Sequence, residues 1–154
     1  MKTAVIMLIT AVLGTLGFSI LFYIRPRHLP LACLGGLLTC GIYLLFDHLI
    51  GGDFLPNVAA AFIGAVYSEI MARKCRTPVS VFTTPSIVPL VPGSMLYRTM
   101  SSLVQSDYAA AGTAGLSTLT IALGIAAGIA GGSLIVPLCL SAVHRCTKKR
   151  HSAP

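Results

Sequence analysis

TAVIMLITAVLGTLGFSILFYI, residues Thr3 to Ile24, contains no charged side chain and runs directly into the basic pair Arg25 and Arg27. A helix needs about 20 apolar residues to cross the roughly 30 Å hydrocarbon core of a bilayer. A helix on a water-soluble domain keeps a polar face, and this stretch has none. It is too long for the apolar region of a secretory leader, lacks a clear small-residue cleavage site and ends in a stop-transfer cluster. The stretch therefore predicts a membrane-spanning helix.

The same criterion selects about 31–50, 54–72 and 79–100, and a last span at about 117–143 inside the apolar run from Tyr108 to Val143. The expected fold is an all-α membrane protein, one transmembrane domain over residues 1–154 with five transmembrane helices, the fourth broken by prolines. Hydrophobic residues make up 55% of the 154 and charged residues 10%, against about 25% charged in soluble domains. Mean hydropathy is +0.87. Lipid must solvate such a surface, so the bilayer is the first partner. The net charge of +7 sits in short clusters between the spans, where it sets topology or meets anionic headgroups. No nucleic-acid motif accompanies it, which argues against a nucleic-acid partner.

Charge also orients the chain. With five spans, one side holds Lys2, the Asp47 to Asp53 loop and Arg98 to Asp107. The other holds Arg25, Arg27, Arg73, Lys74, Arg76, Arg145, Lys148, Lys149 and Arg150, nine basic residues against two. Cytoplasmic loops collect Lys and Arg, so the N-terminus is expected outside and the C-terminus inside. Residues 108–116 are then surplus and are expected as an interfacial or re-entrant helix. Cys33, Cys40, Cys75, Cys139 and Cys146 have neither CxxC nor zinc-ligand spacing. They read as small apolar or cytosolic thiols, and neither a metal nor another cofactor is expected.

Small residues recur every fourth position: Ala32, Gly36, Cys40; Ala60, Gly64, Ser68; and Gly124, Gly128, Gly132. Such faces let helix backbones approach closely where lipid supplies no hydrophobic force between helices. The first two read as internal packing faces. The third serves either internal packing or docking onto a partner chain.

The chemistry-bearing stretch is VSVFTTPSIVPLVPGSMLYRTM, Val79 to Met100. Pro85, Pro89 and Pro92 each remove a backbone donor and clash with the preceding turn, and Gly93 follows. One regular helix cannot hold all of them. Unpaired backbone groups at membrane depth persist only where they are buried in protein or line a wet cavity. A half-helix beginning at Gly93-Ser94 would offer free N–H groups and a positive dipole end to a substrate carboxylate. Thr83, Thr84, Ser86 and Ser94 add hydroxyls. The alternative is a packed, kinked structural helix.

Ionisable groups inside a span are functional candidates. Glu69 either couples a proton or pairs with Arg73 one turn on. Asp47 and His48 either form a gate or simply end span two in water. Arg98 either attracts anions or snorkels to the interface. There is no GxSxG, HExxH or P-loop motif, so the sequence argues against an intramembrane enzyme.

The stretch from Ser68-Glu69 through TPVSVFTTPSIVPLVPGSMLYRTM to the glycine-rich last span resembles the threonine/serine exporter family. The motif carrying it is Pro85, Pro89, Leu90, Val91, Pro92, Gly93 and Tyr97. The likeness covers nearly the whole chain and is weaker over spans one and two. More narrowly, the chain is similar to the small membrane subunit that corresponds to the second half of full-length exporters, with a two-component branch linked to succinate export. The resemblance implies a multi-pass protein of the bacterial inner membrane and secondary export of threonine/serine or a dicarboxylate such as succinate. It also implies a larger partner subunit that supplies the family's first half. Substrate-binding residues would be Thr84, Pro85, Ser86, Pro89, Pro92, Gly93, Ser94 and Tyr97, and coupling or gating candidates Glu69, Asp47, His48 and Arg98. A homo-oligomer is a further expectation. The competing reading is a structural or assembly membrane protein with no translocation path.

Overall fold

The computed structural model describes residues 2–151, with side chains described over residues 4–138. The basic side chains of the C-terminal tail, and those of Cys139 and Cys146, lie outside the described side chains. Helices are α1 (Lys2–Leu21), α2 (Leu29–Ile50), α3 (Leu55–Cys75), α4 (Ser80–Ile87), α5 (Gly93–Val104) and α6 (Tyr108–His151). Single 3-10 turns occupy Pro26–His28 and Val88–Leu90. The helices α1, α2, α3 and the part of α6 up to Leu138 are long and apolar enough to cross a membrane, whereas α4 with its 3-10 turn is shorter.

The ends of these helices have local causes. The first stops at Leu21, short of the expected Ile24, because Tyr23 adopts the left-handed region at φ 53°. Ile24 N–H then donates back to the Ser19 carbonyl at 3.0 Å, and Pro26 follows. That is a Schellman cap. The same device closes α3, with Arg76 at φ 52° and Thr77 N–H on the Ala72 carbonyl at 3.0 Å. It also closes α5, with Ser106 at φ 60° and Asp107 N–H on the Ser102 carbonyl at 2.9 Å.

Packing follows the small-residue faces. The helices α1, α2, α3 and α6 contact one another in that order, α4 lies on α2 and α3, and α5 packs on α6. Ala32 and Ala60 are fully buried. Gly36 faces the side chain of Thr15, and Gly64 faces the methyl of Thr39. Buried hydroxyls in these seams are satisfied within their own helices: Thr15 donates to the Ala11 carbonyl, Ser19 to Thr15 and Ser68 to Gly64, each at 2.7 Å. A group that would cost free energy unpaired in an apolar medium is thereby neutralised locally. These hydroxyls act as small packing units.

Of the two readings of the glycine series in the last span, the structure has internal packing. Gly124 lies against the Phe54 carbonyl, Gly128 against the Val58 carbonyl, Ala61 and the Phe62 N–H, and Gly132 against Ala65 and the Phe62 carbonyl. All of these belong to α3 or the residue before it.

Residues 108–116 depart from expectation. They are not a separate interfacial or re-entrant element but the first turns of the 44-residue α6. Asp107 starts the helix by accepting the Ala110 N–H on its carboxylate at 3.1 Å, an N-cap. The following YAAAGTAGL contains no proline or charge to stop it. At 1.5 Å per residue the helix is about 66 Å long, well over a bilayer core. Its first turns are held by α5.

Candidate functional site

The candidate site is the break between α4 and α5. Pro85 cannot donate to the Val81 carbonyl, Pro89 to Pro85, or Pro92 to Val88. The backbone tightens into the 3-10 turn at Val88–Leu90 and turns extended at Val91, with φ −62° and ψ 124°. It passes through Pro92 at ψ 53° and re-enters helix at Gly93.

The two sides of the break are satisfied differently. On the acceptor side, the Thr39 hydroxyl of α2 reaches across 47 residues of sequence to donate to the Ser86 carbonyl at 2.7 Å. Val91 N–H closes on the Val88 carbonyl at 3.2 Å. On the donor side, Gly93 N–H turns back to the Val91 carbonyl at 2.8 Å and Leu96 N–H reaches the Pro92 carbonyl at 3.0 Å. The N–H groups of Ser94 and Met95 have no acceptor among the described residues, and no side chain caps α5. They add to the positive dipole end of a 12-residue helix.

A cleft of about 210 Å³ opens on this end of α5. Pro89, Pro92 and Ser94 line one wall, and Tyr43, Asp53 and Asn57 line the other. Asn57 is buried, and its Nδ2 donates to the Asp53 carbonyl at 2.7 Å, fixing the link between α2 and α3 against the cleft. The cleft thus offers backbone donors on one side and a carboxylate and a phenol on the other.

The expected site residues divide into groups. Pro89, Pro92 and Ser94 meet at the cleft, with Gly93 beside them in open space. Ser86 is fully buried against Gly35, with its hydroxyl unpartnered. Thr84 is exposed and shares a different cleft with Pro85, Phe22 and Ile24. Tyr97 is 74% exposed and lines a groove with Arg98 between α5 and α6. Glu69 is paired with Arg73, Nε to Oε2 at 3.4 Å, the carboxylate side chain 12% and the arginine 47% exposed. Asp47 and His48 sit on the exposed end of α2 and do not line the cleft. Gly124, Gly128 and Gly132 lie in the α3–α6 seam.

Sequence reasoning missed Thr39, Tyr43, Asp53 and Asn57 as neighbours of the break. Asn57 carried a usable signal, an amide placed within an otherwise apolar span. Thr39 carried none, because a span hydroxyl ordinarily bonds the preceding turn, as Thr39 does toward the Gly35 and Gly36 carbonyls, and only tertiary contact reveals the Ser86 carbonyl as a further acceptor.

A family model described as Threonine/Serine exporter, ThrE, matches residues 7–135. The chain belongs to this family. No solved structure matches it. The matched stretch contains the whole of the break, its cleft and the α3–α6 seam. With its long apolar helices, this makes the threonine/serine exporter chain a multi-pass membrane protein with a transporter-type role.

Proposed function

We propose that this threonine/serine exporter chain is the small subunit of a secondary transporter of the bacterial inner membrane. It exports a carboxylate-bearing solute, an amino acid such as threonine or serine or a dicarboxylate such as succinate, together with a larger membrane subunit of the same family. One observation carries the reading: the free N–H pair of Ser94 and Met95 opens onto a cleft with a polar far wall. An oxyanion satisfies such donors, and the helix dipole adds to the attraction. At about 210 Å³ the cleft is smaller than the roughly 300–1,000 Å³ of sites for drug-sized ligands, which suits a solute of amino-acid size. Pro89, Pro92, Gly93 and Ser94 form the carboxylate end, and Thr84, Pro85, Ser86 and Tyr97 flank it along the same segment. Glu69, paired with Arg73, is the candidate proton carrier. Asp47, His48 and Arg98 are gating candidates.

The rival, a scaffold with no path, gains support from the Thr39 to Ser86 bond, which satisfies a carbonyl on the acceptor side with protein alone. A scaffold has no use for the open donor side. Efflux from cells lacking their own exporters separates the two. Co-expression of this chain with its larger partner is expected to restore export of a preloaded solute, and neither chain alone is expected to do so. Undiminished export by the larger chain alone would remove the proposal.

The proposed orientation has five spans, with α4 and α5 together making the fourth, the N-terminus outside and the tail inside. The nine-to-two split of basic residues supports it. A thiol introduced at position 148 is expected to resist membrane-impermeant reagents in intact cells and to react after permeabilisation. Labelling in intact cells would reverse the topology.

A further inference from the structure

Beside the break lies a second space. A groove of about 400 Å³ separates α5 from α6, with Arg98, Ser101 and Ser102 on one wall and Thr113 and Ser117 on the other. Met95 borders both this groove and the cleft at the break, so one flexible side chain lies between them.

Most polar groups of the groove are free to donate. Many helix hydroxyls elsewhere in the bundle donate to the preceding turn, among them Thr15, Ser19, Ser68, Thr83, Thr99 and Thr118. In the groove only Thr113 does so, donating to the Ala110 carbonyl at 3.0 Å. Ser101 accepts from Gln105 Nε2 at 3.0 Å, which leaves its own hydrogen available. The hydroxyls of Ser102 and Ser117 have no partner among the described residues. Arg98 has none either: Glu69 pairs with Arg73, the Asp107 carboxylate caps α6, and no ion pair joins Arg98 to Asp47 or Asp53. A guanidinium and three donating hydroxyls therefore face one space that contains no acidic side chain.

We infer that this groove is a second oxyanion station, in which Arg98 and the Ser101, Ser102 and Ser117 hydroxyls hold the carboxylate of a small solute next to the site at the break. The inference rests on the reading of the break as a carboxylate site and gives the solute its next position along α5. Guanidinium presents paired N–H donors in a plane that matches a carboxylate. Serine hydroxyls rotate to complete the shell and, carrying no charge, keep the binding weak enough for release. An anionic lipid headgroup offers the same oxyanion chemistry from another source.

The test uses the full chain with its five native cysteines replaced by alanine, carrying Ser117→Cys, in phosphatidylcholine nanodiscs. The probes are a negatively and a positively charged methanethiosulfonate of similar size, with acetate and succinate as competitors. A single nearby charge changes such rates by about tenfold. The anionic reagent is expected to react about tenfold faster with Arg98 present than in Arg98→Gln, and Arg98→Lys is expected to restore most of the difference. Millimolar acetate or succinate is expected to slow the reaction with Arg98 present and not in Arg98→Gln. Ser102→Cys serves as a second reporter should the first variant misfold. Equal rates with and without Arg98, or no slowing by either soluble carboxylate, would overturn the inference. So would slowing that appears only when phosphatidylglycerol is added to the nanodiscs, or a thiol unreactive at both positions. Gly93→Leu separates this from the break. Lost export with intact protection at position 117 leaves both sites standing, and lost protection alongside Gly93-dependent export removes only the groove.

Discussion

Replacing Gly128 with leucine is expected to prevent recovery of a folded chain. A Cβ at this position would lie 2.5 Å from the Val58 carbonyl oxygen and 2.9 Å from the Phe62 nitrogen, both backbone atoms of α3. Backbone cannot rotate away as a side-chain tip can, so the two helices must separate along their whole seam. Alanine already makes that demand, and overpacking of this kind costs about 1–3 kcal/mol. Leucine adds three further carbons in the same place. The seam has little to offset the loss, because helix association in lipid depends on close van der Waals packing. Gly112 provides the control. It lies on the same helix with nothing within 4 Å of an added Cβ, so Gly112→Leu should leave stability unchanged or raise it by up to about 1 kcal/mol through helix propensity. Thermal unfolding and size-exclusion profiles of the detergent-purified chain decide the matter. Equal behaviour of the two leucine variants would show that the seam does not hold the bundle.

How far the sequence carried the fold depends on what set each element. Apolar run length fixed α2 and α3 closely, with expected starts near 31 and 54 against observed starts at Leu29 and Leu55. The expected end of α1 overshot to Ile24 because nothing in FYIR marks Tyr23 for a left-handed backbone. The interruption after Pro85 was legible because proline chemistry is local and needs no neighbour to act. The continuity of α6 was not. Dividing a long run by bilayer thickness inserts a break that the backbone of an uncharged, proline-free segment has no reason to make. The site was legible in one strand of chain only. Pro89, Pro92 and Ser94 could be named from their spacing, but their opposite wall depends on how α2 and α3 pack. So does the scatter of Thr84, Ser86 and Tyr97 to three other environments: successive turns of a helix face different neighbours.

The break itself is tested most directly at Gly93. Gly93→Leu is expected to fold and insert normally, since an added Cβ meets nothing within 4 Å. The position also lies at the start of α5 with no left-handed φ to strain, and leucine is the better helix former. The effect should fall instead on transport. At the first position of the helix the new side chain stands over the approach to the Ser94 and Met95 N–H groups, the only donors of that turn left without an acceptor among the described residues. Hydrogen bonds to a charged group are worth about 1.5–3 kcal/mol each, and each 1.4 kcal/mol is a factor of ten. Excluding the solute carboxylate from both, a loss of about 3–6 kcal/mol, should reduce export by roughly a hundredfold or more. Gly93→Ala, with a single methyl, should fall between. Ser94→Ala separates the hydroxyl from the backbone: if the N–H groups do the holding, that variant keeps most of its export. The measurement is efflux of a preloaded radiolabelled solute from vesicles containing this chain and the proposed larger subunit, normalised to the amount of folded protein. Full export by Gly93→Leu would mean that the solute never approaches this turn. The free donors would then be met by lipid headgroups or water, and the break would be only a bend in the scaffold.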